Sequence, residues 1–194
     1  FSAPYYVASQ RILSFRNSNV TGPAQLADKR VCAARGTTSI GRIQAIQPRA
    51  KIVSTTTWAD CLVLMQQGQI DAATTDDAIL AGYSNFWEGE FKLVEMTYLK
   101  DACVKKALKA AGTPFSTERY GIGLAKGDSE SVTKVNEALD SMLKPSADNG
   151  PSPWISALRE SLGDDYVNEI QQRADKPGSK FAFTPKPGDL AFLE

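Results

Sequence analysis

The sequence predicts an α/β fold, and two observations carry the prediction. Residues 30–83 alternate strand-forming and helix-patterned segments joined by short loops, an order that implies a parallel sheet with right-handed crossovers. The chain has 194 residues, 42% hydrophobic and 23% charged, an ordinary globular composition that can bury one large core or two small ones.

The elements follow in order. Tyr6–Phe15 is rich in β-formers, and Asn17-Ser18-Asn19 closes it with turn chemistry. A helical turn is expected around 24–27, then a strand over Arg30–Ala34. Ile40, Ile43 and Ile46 stand at i, i+3, i+6 and mark a helix stopped by Pro48. Lys51–Val53 reads as a short strand. Trp58, Cys61, Leu62 and Met65 fall at i, i+3, i+4, i+7, an amphipathic helix capped by one of Thr55–Thr57. Ile70–Thr75 is the next strand and Asp76–Tyr83 the next helix. Further on, Tyr120–Ala125 reads as a strand. Val132, Val135, Leu139, Met142 and Leu143 mark a helix, and 154–162 and 166–174 mark two more. The tail from Asp175 is rich in proline and is expected to be irregular.

Composition narrows the function. Lys+Arg 22 balances Asp+Glu 22, so no net field recruits nucleic acid or an anionic membrane. The longest apolar runs fall far short of the roughly 20 residues of a membrane span. There is no His, which removes the commonest general base and the commonest metal ligand and disfavours an enzyme. Cys32, Cys61 and Cys103 lack the short C-x-x-C spacing of a zinc or redox site. They are three buried thiols, or a disulfide plus one cysteine whose partner lies upstream. The segment Phe1–Tyr6 has no initiator Met and no signal pattern. It reads as the interior of a fold, any signal or anchor having been removed before it.

Open α/β sheets bind ligands at the carboxyl ends of their strands, and two loops there carry chemistry. Arg35-Gly36-Thr37-Thr38 follows the Arg30–Ala34 strand. Gly36 permits a tight turn, Thr37 and Thr38 offer hydroxyls, and the next helix presents free N–H groups at the positive end of its dipole. That suits a carboxylate, although an ordinary helix cap uses the same residues. Thr75-Asp76-Asp77 ends the Ile70–Thr75 strand, where an ionised carboxylate can pair with an ammonium group or cap the helix. Together the two loops fit a zwitterion.

In this order, Phe1-Ser2-x-Pro4-Tyr5-Tyr6, Gln10-x-Ile12-Leu13, Gly36-Thr37-Thr38, Asp71-Ala72 with Asp76, and Tyr120-Gly121-Ile122-Gly123 with Lys126-Gly127 resemble family 3 of the extracellular solute-binding proteins. These are polar amino-acid receptors of ABC importers, and the actinobacterial glutamine/glutamate-binding members are the most similar. The resemblance spans roughly residues 1–145. It implies a type II periplasmic-binding-protein clamshell with one complete lobe and the C-terminal return segment of the other, whose N-terminal part this chain lacks. Residues 1–9 and 116–120 are then hinge strands, 10–115 the complete lobe, 121–175 the return segment and 176–194 the tail.

By position the resemblance implies that Thr37, Thr38 and neighbouring N–H groups of the Arg35–Thr38 loop hold a ligand α-carboxylate. Asp76, with Thr75 beside it, holds the α-ammonium, and Asp77 is expected to point away. It further implies capture of glutamate, aspartate or glutamine outside the cytoplasm, at the cell surface or in a periplasm, by a full-length precursor that carries a lipid anchor. The partner is a membrane permease or a membrane sensor, with no catalysis, cofactor, metal or nucleic acid. Arg35 is expected to contribute side-chain selectivity. Two other classes share the fold: a dehydratase using carboxylates such as Glu118, and the effector domain of a regulator. Cys32 lies mid-strand and Cys61 on the apolar face of the Trp58 helix, which packs on that sheet. They are expected to form a disulfide, leaving Cys103 for an upstream cysteine.

Overall fold

The computed structural model describes residues 1–94, 96, 102–104, 107–109, 114–147 and 150–174. They fall into two compact units, one built from residues 9–116 and one from residues 1–8 together with the chain from Thr117. The expected irregular tail and the Cys103 side chain lie outside the described residues.

The 9–116 unit is a five-stranded mixed sheet between helical layers. Its strands are β2 (Gln10–Phe15), β3 (Arg30–Ala34), β4 (Lys51–Thr55), β5 (Ala72–Asp76) and β6 (Phe91–Val94), in the order β4-β3-β5-β2-β6. β3 runs parallel to both β4 and β5, as the strand–helix alternation requires. β2 pairs antiparallel with β5 and β6. The helices are α1 (Thr38–Ile46), α2 (Trp58–Gln66) and α3 (Asp77–Phe86), and a 3-10 turn covers Pro23–Leu26. β7 (Ala102–Val104) and β8 (Ala107–Lys109) form a small antiparallel pair.

Strand side chains alternate between the two faces, and successive residues of each central strand enter different cores. Ile12, Val31 and Ala72 join Ile43 of α1 and Leu26 in one cluster. Leu13, Cys32 and Ala73 join Cys61, Leu62 and Met65 of α2 and Leu80 of α3 in the other. Both faces of the sheet are therefore covered, which explains the nearly continuous apolar runs in β2 and β3. α2 begins at a capping box: the Asp60 N–H donates to Thr57 Oγ1 and the Thr57 N–H to Asp60 Oδ2.

The other unit holds the antiparallel pair β1 (Tyr6–Ala8) and β9 (Glu118–Tyr120), with α4 (Ser129–Leu143), α5 (Pro153–Leu162) and α6 (Asp164–Ala174). Asp128 caps α4 by accepting from the Ser131 N–H at 3.0 Å, and Ser152 caps α5 ahead of Pro153. The Tyr6 and Tyr166 hydroxyls are hydrogen-bonded at 2.7 Å.

Two expected strands come out shorter. Tyr6–Phe15 is divided at Ser9, where the backbone N–H and C=O both turn to Asp77 instead of a strand partner. The Tyr120–Ala125 strand stops at Tyr120. Beyond it Ile122 bonds Ser2, whose hydroxyl accepts the Ile122 N–H at 2.9 Å and so replaces a ladder bond. Strand β6 went unanticipated, because four residues after the Gly89 turn are too few to show a period.

Candidate functional site

β3 and β5 are neighbours and parallel, so the loops that follow them emerge at the same edge of the sheet. The register pairs Val31 with Ala72 and Cys32 with Ala73. Continued to the strand ends, it sets Ala34 level with Thr75 and Arg35 level with Asp76. The six predicted site residues thus fall into two groups on adjacent strand ends of one unit.

The first group turns from β3 into α1. The exposed Arg35 anchors the loop by its backbone, whose N–H donates to the Thr55 carbonyl at 2.8 Å. Gly36 has φ +79°, the left-handed region where a side chain is strained. Thr37 is the N-cap of α1, but its hydroxyl donates back to the Ala34 carbonyl at 2.8 Å and makes no capping bond to the helix. Thr37 thus takes the N-cap position that the sequence left open as an alternative, without the side-chain bond of an ordinary cap. The first-turn N–H groups of α1 keep the positive end of the dipole toward this edge, and no acidic residue sits in that turn. Thr38, exposed, opens the helix.

The second group ends β5. Thr75 is buried, and Asp76 is half-buried as the N-cap of α3, again without a side-chain capping bond. Asp77, the residue expected to point away as a helix start, is buried. Its Oδ1 accepts from the Ser9 N–H at 3.2 Å and the Ala78 N–H at 2.9 Å. The first turn of α3 needs an acceptor at its orphan N–H groups, and Asp77 supplies it in place of Asp76.

Gln10 went unrecognised as a site residue. It is fully buried and faces Asp76 across the β2–β5 ladder. Its Nε2 donates to the Ser39 carbonyl in the first turn of α1 at 3.2 Å and to Thr74 Oγ1 at 2.9 Å. Thr74 Oγ1 in turn donates to the Arg11 carbonyl at 2.7 Å, and Gln10 N–H donates to Ser116 Oγ at 2.8 Å. The available signal was a lone amide opening a strand whose other positions are mostly apolar.

Beneath the first loop, Cys32 and Cys61 form the expected disulfide, which joins β3 to α2 inside the core. At the opposite end of β3, Arg30 Nε and Nη2 grip the Asp71 carboxylate at 3.1 and 3.2 Å, and the Arg30 N–H donates to it at 2.8 Å. These bonds hold the Asp71 carboxyl below its ordinary pKa against partial burial. Among the described residues no group of His, Cys, Asp and Glu could hold a metal ion, and no helix is long and apolar enough to cross a membrane.

No protein-family model matches the chain. The glutamate-binding protein GluB of Corynebacterium glutamicum is 31% identical over 196 aligned positions, covering 100% of this chain and 56% of that protein. The ABC transporter glutamine-binding protein GlnH of Bacillus subtilis is 31% identical over 143 positions, 73% of this chain and 46% of that protein. Among solved structures, an ancestral cationic amino acid solute binding protein, AncCDT-1, is 25% identical with a TM-score of 0.63 over 84% of this chain and 61% of that one. The chain spans about half the length of the curated relatives it matches. It is a part-length homologue of glutamate- and glutamine-binding proteins, and its fold is the type II periplasmic-binding-protein fold of the amino-acid solute-binding proteins.

Proposed function

We propose that this chain supplies one half of an amino-acid-binding site in a receptor that captures a small polar amino acid and leaves it chemically unchanged. Glutamate, aspartate and glutamine are the favoured ligands. The names of the curated relatives support that choice, as does the exposed Arg35 guanidinium, suited to a distal carboxylate or amide. In this reading the Arg35–Thr38 loop and the α1 amino terminus hold the α-carboxylate, while Asp76, beside Thr75, holds the α-ammonium. The observation that carries the reading is the adjacency of those two strand ends on β3 and β5. The protein acts outside the cytoplasm, where a disulfide such as Cys32–Cys61 persists. It delivers its ligand to a membrane permease of the ABC type or to a membrane sensor.

Titration calorimetry of the full-length protein against the proteinogenic amino acids tests this reading. Glutamate, aspartate or glutamine should bind most tightly, and each should be recovered unaltered. Preference for lysine or arginine, or the appearance of a reaction product, would overturn it.

A further inference from the structure

We propose that Gln10 is a positioning residue that sets the spacing between the two halves of the binding site; the inference rests on the reading just given. Its amide bonds both the first turn of α1, at Ser39 O, and strand β5, at Thr74 Oγ1. Those elements carry the carboxylate-holding loop and Asp76. An α-amino acid presents its α-carboxylate and α-ammonium a fixed distance apart, so its affinity depends on that spacing; a ligand with only one of these two groups does not sense it.

The alternative is that Gln10 only stabilises the fold, and three features oppose it. Ser39 O lies inside α1, where the helical ladder supplies another donor. Thr74 Oγ1 keeps its bond to Arg11 O without Gln10. Gln10 Oε1 is buried with no hydrogen-bond partner among the described residues, an unfavourable state that an apolar side chain of the same shape would avoid. Replacing the amide therefore strands no neighbour and relieves one orphan oxygen. What it removes is the link. The partners also fix the orientation of the amide, because a backbone carbonyl can only accept and Nε2 must face Ser39.

The test uses the full-length protein with Gln10→Met, which keeps the shape and removes the amide, and Gln10→Glu, which sets an acceptor against the Ser39 carbonyl. Calorimetry compares glutamate with 4-aminobutyrate, which lacks the α-carboxylate, and glutarate, which lacks the α-amino group. Gln10→Met should weaken glutamate about tenfold and each single-group analogue less than about twofold, the size expected for losing hydrogen bonds between neutral groups. Gln10→Glu should weaken glutamate at least as much. A second readout needs no ligand: amide exchange at Ile43, paired with Ser39 O in the helical ladder, should quicken relative to Val31 in the core.

Wild-type affinity in either variant overturns the proposal. So does an equal loss across all three compounds, or a uniform rise in exchange, the mark of general destabilisation. Should Gln10→Met fail to fold, Thr74→Val removes one of the two acceptors and should show a weaker form of the same pattern. If the wild type binds no amino acid, the functional reading fails, and exchange alone decides the role of Gln10: quickening confined to the start of α1 supports it, and none overturns it.

Discussion

Ser9 and Asp77 exchange two hydrogen bonds: the Ser9 N–H donates to Asp77 Oδ1 at 3.2 Å, and the Asp77 N–H donates to the Ser9 carbonyl at 2.9 Å. The pair occupies the point where the β-rich run of residues 6–15 breaks, and it fixes the start of α3 against the start of β2. Asp77 is buried there, and its Oδ1 also accepts the Ala78 N–H.

Asp77→Ala leaves two backbone donors without their acceptor. It should destabilise the protein by about 1–3 kcal/mol, the range for leaving a buried donor unsatisfied. Asp77→Asn keeps a carbonyl oxygen at that position and should lose less. Urea unfolding followed by circular dichroism measures both, and an Asp77→Ala midpoint equal to that of the wild type would show that the bonds to the Asp77 carboxylate add nothing.

The Cys32–Cys61 bond joins residues 29 apart in sequence inside the core of the 9–116 unit. A closed loop of that size is associated with about 3–4 kcal/mol in the chain-entropy estimate. Cys32→Ser with Cys61→Ser should therefore lower the unfolding midpoint strongly, and reductant should do the same to the wild type but not to the double variant. Insensitivity of the wild type to reductant, with both thiols found free by mass spectrometry, would count against the bond.

Arg30 and Asp71 give the acid limb a definite sign. Hydrogen bonds from the guanidinium and from the Arg30 N–H, helped by the charges of Arg30 and Lys29, hold the folded-state pKa of Asp71 below its ordinary value. The pair's contribution is then fully present above the unfolded carboxylate pKa of about 3.9 and is lost as pH falls through the lower folded value. Asp71→Asn should lower the unfolding midpoint at neutral pH by a small amount, since partly exposed pairs contribute little, and should flatten the decline below about pH 4 by the same amount. An acid limb identical in the two proteins would remove Asp71 from it.

The sequence made the alternation from Arg30 to Tyr83 legible because both faces of the sheet are buried and helical periods separate the strands. The turn at Gly36 and the pairing of Cys32 with Cys61 were legible for local reasons: a glycine following a strand, and two thiols on surfaces that pack together. What it concealed depends on tertiary pairing. Nothing local says that Ser9 leaves the ladder, or that the carboxylate buried at the start of α3 belongs to Asp77 and not to Asp76. The Gln10 amide likewise acquires its meaning only when β2 is placed beside β5.

Asp76 closes β5 beside the loop that begins α1, and its side chain does not cap α3, the work Asp77 performs. If Asp76 holds the ligand ammonium, its truncation removes a charged hydrogen-bonding partner in a desolvated site. That typically costs about 2–5 kcal/mol, or roughly 30-fold to several-thousand-fold in affinity. Asp76→Ala in the full-length protein should thus nearly abolish amino-acid binding. Asp76→Asn should also fall, because an amide of the same size carries no charge to offset the ammonium. The two neighbours should separate by readout: Asp76→Ala loses affinity with a smaller change in the ligand-free melting temperature, and Asp77→Ala loses stability first. Calorimetry paired with thermal unfolding distinguishes them. Normal binding by Asp76→Ala, or an affinity loss equalled by an Asp77→Ala protein that melts normally, would move the ammonium site off Asp76.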